Sequence, residues 1–133
     1  MEFSDLIQKR RSIRAFLPRP VEEEKLQRIL EAINEAPSAG NRQAYEVFLV
    51  RKPEQRAALA AAAFDQNFIR DAPLVLVFCA HPERSEARYG ERGARLYALQ
   101  DATIACTYAM LDLVDQGLAS VWVGAFNDDA VWK

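Results

Sequence analysis

Four cationic side chains, Lys9, Arg10, Arg11 and Arg14, fall within six residues of the segment KRRSIRAF at 9–16. The whole chain is close to neutral, with 17 basic against 19 acidic side chains, so this density needs a local reason. On an extended segment Arg10, Ser12 and Arg14 alternate to one side and present two guanidinium groups and a hydroxyl, a geometry suited to a phosphate dianion. Arg11 points the other way unless the backbone turns. A solvated basic stretch pairing with Glu22, Glu23 and Glu24 uses the same charges differently, and spacing alone leaves both readings open.

Two further segments carry residue types able to hold a ligand. APSAGNRQ at 36–43 has small residues that let a planar molecule approach the backbone, and Asn41 and Gln43 offer amides to a heteroaromatic edge. A helix-ending turn draws on the same Pro, Ser, Gly and Asn. In WVGAF at 122–126, Gly124 can bare its backbone N–H at a strand end, or mark a β-bulge.

Scarcity removes several chemistries. The single histidine, His81, cannot build a multi-histidine zinc site, so no metal is expected. It follows an apolar strand and precedes Pro82, a poor place for a nucleophile's base. The five glycines form neither a dinucleotide-binding fingerprint nor a phosphate-binding P-loop, so redox or transfer chemistry would need a cofactor held in another way. Cys79 and Cys106 lie in apolar stretches and read as reduced core residues. A net charge of -2 gives no field for nucleic acid. The chain opens MEFSD without a basic or apolar leader and has no run long enough to span a bilayer. A soluble, cytoplasmic protein with neither nucleic acid nor membrane as partner is expected.

The elements that would position these segments belong to one domain, residues 1–133, since 133 residues with 50% apolar content close a single core and no linker or repeat interrupts them. A short helix is expected over 1–9. Over 21–35, Leu26, Ile29, Leu30 and Ile33 share one helical face, with Pro20 before it and three glutamates in the first turn. Strands are expected at 45–51, 73–80 and 121–126, with 73–80 apolar enough for a central strand covered on both faces. A second helix begins at Pro53, and Asn127 with Asp128 and Asp129 announces a last one. From about Glu91 to Gln116 runs a long helix whose only charge between Leu96 and Leu111 is Asp101. A helix apolar on nearly every side needs cover all round, from its own domain or from a second copy at a homodimer interface, and Gly117 supplies its stop.

Taken together, RRSIRAF after a short helix, the P-S-A-x-N-x-Q loop, DAPLVLVF, the L-Q-D-A helix and GLASVWVGAF resemble the FMN-dependent nitroreductase family, in the same order and over nearly the whole chain. The resemblance implies an α+β fold with a central sheet packed by helices, an intertwined homodimer on long central helices, and FMN in clefts between subunits. It places Arg10, Arg11, Ser12 and Arg14 at the FMN phosphate, ribityl chain and pyrimidine edge. Pro37, Ser38 and Ala39 match the loop that the second subunit lays over the isoalloxazine, with Asn41 and Gln43 near the ring edge. Gly124 and Ala125 match the strand end whose N–H groups address flavin N5 and O4.

Family members continue past the helix begun at Asn127 with a last strand, a basic residue near the phosphate and a tail that embraces the partner subunit. The sequence ends at Lys133, so an uncovered sheet edge and fraying final residues are expected, with the Trp132 ring as the group that could still dock on the core. The function implied is hydride transfer from NADH or NADPH through FMN to a nitroaromatic, quinone or similar small planar acceptor, in ping-pong fashion. No catalytic side chain is required. The alternative is a non-catalytic flavin-binding or dimeric scaffold with the same fold.

Overall fold

The computed structural model describes residues 1–132. Its centre is helix α6 (Ala98–Asp115). The helix expected over 91–116 is found as a π-helical turn, Gly93–Tyr97, running into α6. A kink at Gly90, with φ of 63°, separates it from the body of α5 (Pro82–Arg92); this backbone conformation suits a residue without a Cβ. At the far end Gly117 takes a φ of 79° and Leu118 N–H donates to Leu113 O at 2.8 Å, the left-handed stop expected there.

Helix α2 (Glu23–Glu35) turns Leu26, Ile29 and Ile33 inward, as the periodicity predicts. Ile29 and Ile33 meet Ala102, Ala105 and Ala109 of α6, whose small side chains let the helices approach closely. On the same core lie Tyr45 and half-buried Val47 from β1 (Tyr45–Val50), and half-buried Leu76 and Phe78 from β2 (Val75–Ala80). The strands pair antiparallel, with Tyr45 opposite Ala80 and Val50 opposite Val75. α1 (Phe3–Lys9) packs on α6, where the N-terminal ammonium lies 3.4 Å from Asp115. α3 (Pro53–Ala62) and α4 (Phe68–Asp71) form a second cluster around Ala60, Ala63 and Ile69.

The sheet departs from expectation. Among the described residues it has two strands, and 121–126 is not one of them. Its aromatic and β-branched composition fits a pleated surface, but that preference needs a neighbour to supply the ladder. Just before it, Ser120 makes an isolated parallel bridge to Ser12. Between β2 and 117–124 lies an apolar groove of about 690 Å³, also lined by 15–17, Ile29 and Cys106. β2 is therefore half-buried rather than covered on both faces, and among the described residues it pairs along one edge only.

The last helix, α7 (Asp128–Trp132), is present in the described chain, with Asn127 Oδ1 accepting from Ala130 N–H at 3.0 Å. Asn127 N–H also donates to Ala62 O at 2.8 Å and fixes α7 against α3. The Trp132 ring does not dock: it is 77% exposed, and Val131 is the α7 residue that lines the groove. Lys133 lies outside the described residues. Among those described, no helix is long and apolar enough to cross a membrane.

Candidate functional site

The basic segment is extended, as its alternation predicts, and is held from one side. Ile13 N–H donates to Ser120 O at 3.1 Å beside the Ser12–Ser120 bridge. The Arg11 guanidinium bends back onto the carbonyls of Gln8 and Arg10 and closes the C-terminal end of α1. Arg10 and Arg14 form no ion pair among the described residues, and two of the three glutamates that might have taken them are engaged elsewhere, Glu22 with Lys25 and Glu23 with Arg51.

From Ser120 the chain runs to Gly124 and Ala125. Neither N–H donates to a protein acceptor among the described residues, and a Cβ built on Gly124 would meet nothing within 4 Å. Gly124 lines the groove, so the two unpaired donors lie on the segment that borders it. They are steadied by Gln66, whose Nε2 donates to Ala125 O at 3.0 Å and to Ala63 O at 2.9 Å.

The 36–43 loop is anchored at a different place. After Pro37 it forms a 3₁₀ turn, Ala39–Asn41, and three residues take the left-handed region: Gly40 at φ 59°, Asn41 at 56° and Gln43 at 48°. Asparagine tolerates this region and glutamine does so less readily, so the surroundings must supply the restraint. Ser38 Oγ accepts from Gln43 N–H at 3.0 Å, and Gln43 Nε2 donates to Asn34 O at 3.2 Å. Arg84 Nη1 donates to Gln43 O at 2.9 Å and Tyr45 O at 3.2 Å, while Arg42 Nε returns a bond to Arg84 O at 3.0 Å.

From α6, Asp101 accepts from Ala39 N–H at 3.3 Å and Ala44 N–H at 3.2 Å. The Tyr89 hydroxyl covers Gly40 so closely that a Cβ there would lie 2.3 Å from it. Burial, aided by the charge of Asp101 and opposed by Arg84, pushes the Tyr45 phenol above its ordinary value of 10.0. That phenol donates to Ile33 O at 3.1 Å and links the loop's exit to α2.

The structure therefore brings 10–14 and 120–125 together. No hydrogen bond among the described residues joins the 36–43 loop to either. His81 stands 3.6 Å from both Glu46 and Glu83, and its ring is hydrogen-bonded to no serine or cysteine among the described residues. Both cysteines are free thiols.

The pattern of these segments matches the Nitroreductase family over residues 7–68 and 63–133. The chain belongs to the Nitroreductase family. Among curated relatives of the family's chains, an NADH dehydrogenase of Thermus thermophilus is 35% identical over 92% of this chain and 73% of its own length. An FMN reductase [NAD(P)H] of Bacillus subtilis is 33% identical over 86% of this chain and 51% of its own length. A solved nitroreductase family protein from Clostridium difficile 630 superposes with a TM-score of 0.84 at 36% identity, covering 98% of this chain and 73% of that one. The chain thus spans between about half and three quarters of these relatives, as the 51% and 73% figures show.

Within this Nitroreductase member, the residues that sequence reasoning passed over are the restraints of the loop: Asp101, Arg84, Tyr89 and Tyr45. One of them carried a signal. Asp101 is the lone charge in a long apolar helix, and a carboxylate in such a place needs donors supplied by the fold. Arg84 and Tyr89 looked like ordinary polar-helix residues, because their targets are 39 to 49 positions away in sequence.

Proposed function

We propose that this chain is an FMN-dependent oxidoreductase that moves a hydride from NADH or NADPH to a nitroaromatic, quinone or similar planar acceptor, with donor and acceptor using one cleft in turn. The observation that carries the reading is the joining of 10–14 to Ser120. It ties the segment that carries Arg10 and Arg14, which form no ion pair among the described residues, to the segment that runs on to Gly124 and Ala125, whose N–H groups have no protein acceptor among those residues. Cations for a phosphate and donors for a polar ring edge are what a phosphorylated flavin requires, so the residues present fit FMN. The reading is supported by family membership and by the activity named for the Bacillus subtilis relative.

FMN, when bound, supplies the two-electron redox chemistry. Arg10 and Arg14 hold the phosphate by charge-assisted hydrogen bonds, and Ser12 adds a hydroxyl between them. Arg11 acts indirectly, closing α1 so that the segment leaves it in extended form. Gly124 and Ala125 would offer backbone N–H donors to the ring edge of the bound cofactor, fixed dipoles that need no reorganisation. Backbone donors of this kind would perform no proton transfer, and solvent would supply the protons. Pro37, Ser38, Ala39, Asn41 and Gln43 form a braced loop whose anchorage on α6, apart from 10–14, is suited to covering a ring held by a second copy.

Purified protein supplied with FMN should be yellow and should bleach on anaerobic addition of NADH or NADPH, recovering colour when a quinone is admitted. Colour without bleaching would favour the non-catalytic scaffold, and no uptake of FMN at all would refute the flavin site.

A further inference from the structure

We propose that Asp101 is the positioning residue of the 38–43 loop: its carboxylate fixes both ends of that loop and thereby sets the backbone placed against the ring. Its bearing on the reaction rests on the flavin reading above. Asp101 is 2% exposed on a face of α6 whose other buried residues are Ala98, Ala102, Ala105 and Ala109. A carboxylate there loses its water, and packing alone would be served by another alanine. What the carboxylate obtains instead is two backbone N–H donors, one to each oxygen, from Ala39 at the loop's start and Ala44 at its end. Between these anchors lie the three left-handed residues Gly40, Asn41 and Gln43. Conformations of this kind persist when several restraints act together, and Asp101 is the restraint that reaches both ends. Its two oxygens are occupied by the chain itself, so it acts through the loop and touches no ligand.

The test uses the full chain and the variants Asp101→Asn and Asp101→Ala. Amide hydrogen exchange is followed at Ala39, Ala44 and the β1–β2 ladder, and quenching of FMN and of riboflavin fluorescence is measured in parallel. In Asp101→Asn, which keeps the size and one acceptor, exchange at Ala39 or Ala44 should rise about tenfold while the ladder amides stay within about twofold. Asp101→Ala should release both ends. Affinity for FMN and riboflavin should fall together, by roughly fivefold or more, because the loop addresses the ring and not the phosphate. If Asp101→Ala does not fold, Asp101→Asn still decides.

Unchanged exchange at both alanines would overturn the proposal. So would a rise shared equally by the ladder, which would make Asp101 a packing residue. Released alanines with unaltered flavin affinity would overturn the link to the ring. If the parent chain quenches neither flavin, the flavin reading fails, and the exchange comparison still decides whether Asp101 holds the loop.

Discussion

Arg14 owes its importance to what it lacks. Four cations sit in one short segment, yet Arg11 is spent on the carbonyls of Gln8 and Arg10, Glu22 and Glu23 bind other partners, and Arg14 forms no ion pair among the described residues. Arg14 therefore keeps its full capacity for an anion. A charge-assisted contact contributes about 1.5–3 kcal/mol, so Arg14→Ala should weaken FMN binding by roughly tenfold or more. Riboflavin, which lacks the phosphate, should be affected much less, and equal losses for both flavins would assign Arg14 another role. Cys106 makes a different residue-scale prediction. Burial pushes its thiol from 9.0 up to about 11. Because the folded-state pKa is the higher one, the contribution is fully present below pH 9 and is lost as pH rises toward 11. Chemical denaturation should show stability declining over that window by about 1–2 kcal/mol more in the parent than in Cys106→Ala. Parallel pH curves for the two proteins would show that the thiol is not protected.

At the scale of elements, the loop and α6 act as one unit. Gly40 is required twice, once by its φ of 59° and once by the Tyr89 hydroxyl at 2.3 Å from any Cβ. Gly40→Ala should therefore destabilise the protein by about 1–3 kcal/mol, the usual scale for a strained backbone plus a close contact. Combining it with Tyr89→Ala should recover the steric share but not the share due to φ. A double-mutant cycle from denaturant unfolding checks this: simple additivity would mean that the Tyr89 ring moves aside freely. α6 itself shows why an apolar helix here does not mean a helix buried on every side. Its alanine face is enclosed by α2 and the sheet, while Leu99 is 59% exposed and Tyr108 39% exposed.

For the whole molecule, that exposed face of α6 and the separate anchorage of the 36–43 loop lead to the same expectation, a homodimer in which each copy's loop reaches the other's ring site. A lone chain would leave large apolar side chains in water, and a self-complementary two-fold contact removes them on both copies at once. Sedimentation at micromolar concentration should give a dimer, and Leu99→Glu should shift it toward monomer and lower flavin affinity in step. A parent chain that is monomeric under these conditions, with flavin affinity intact, would show that the site is complete within one copy.

The sequence by itself determined the elements whose cause is local. Leu26, Ile29 and Ile33 recur at helical spacing, Gly117 stops α6, Asn127 caps α7, and the alternation of Arg10, Ser12 and Arg14 needs only an extended backbone. The same local character made the three candidate binding segments legible as segments, and their order was enough to recognise the family. What only the tertiary structure decided depends on partners far along the chain. Residues 121–126 have strand composition but no ladder neighbour among the described residues, so they do not join the sheet. Arg11 caps α1 where spacing alone pointed it simply away from Arg10 and Arg14. Trp132 faces solvent and Val131 turns to the groove, a choice set by how α7 is tied to Ala62. Asp101 stood out in the sequence as an isolated charge, but its purpose lay in two amides 62 and 57 residues away. A hydrophobic period or a cap is written within a few residues of where it acts, whereas hydrogen-bond partners across the fold exist only once packing has brought them together.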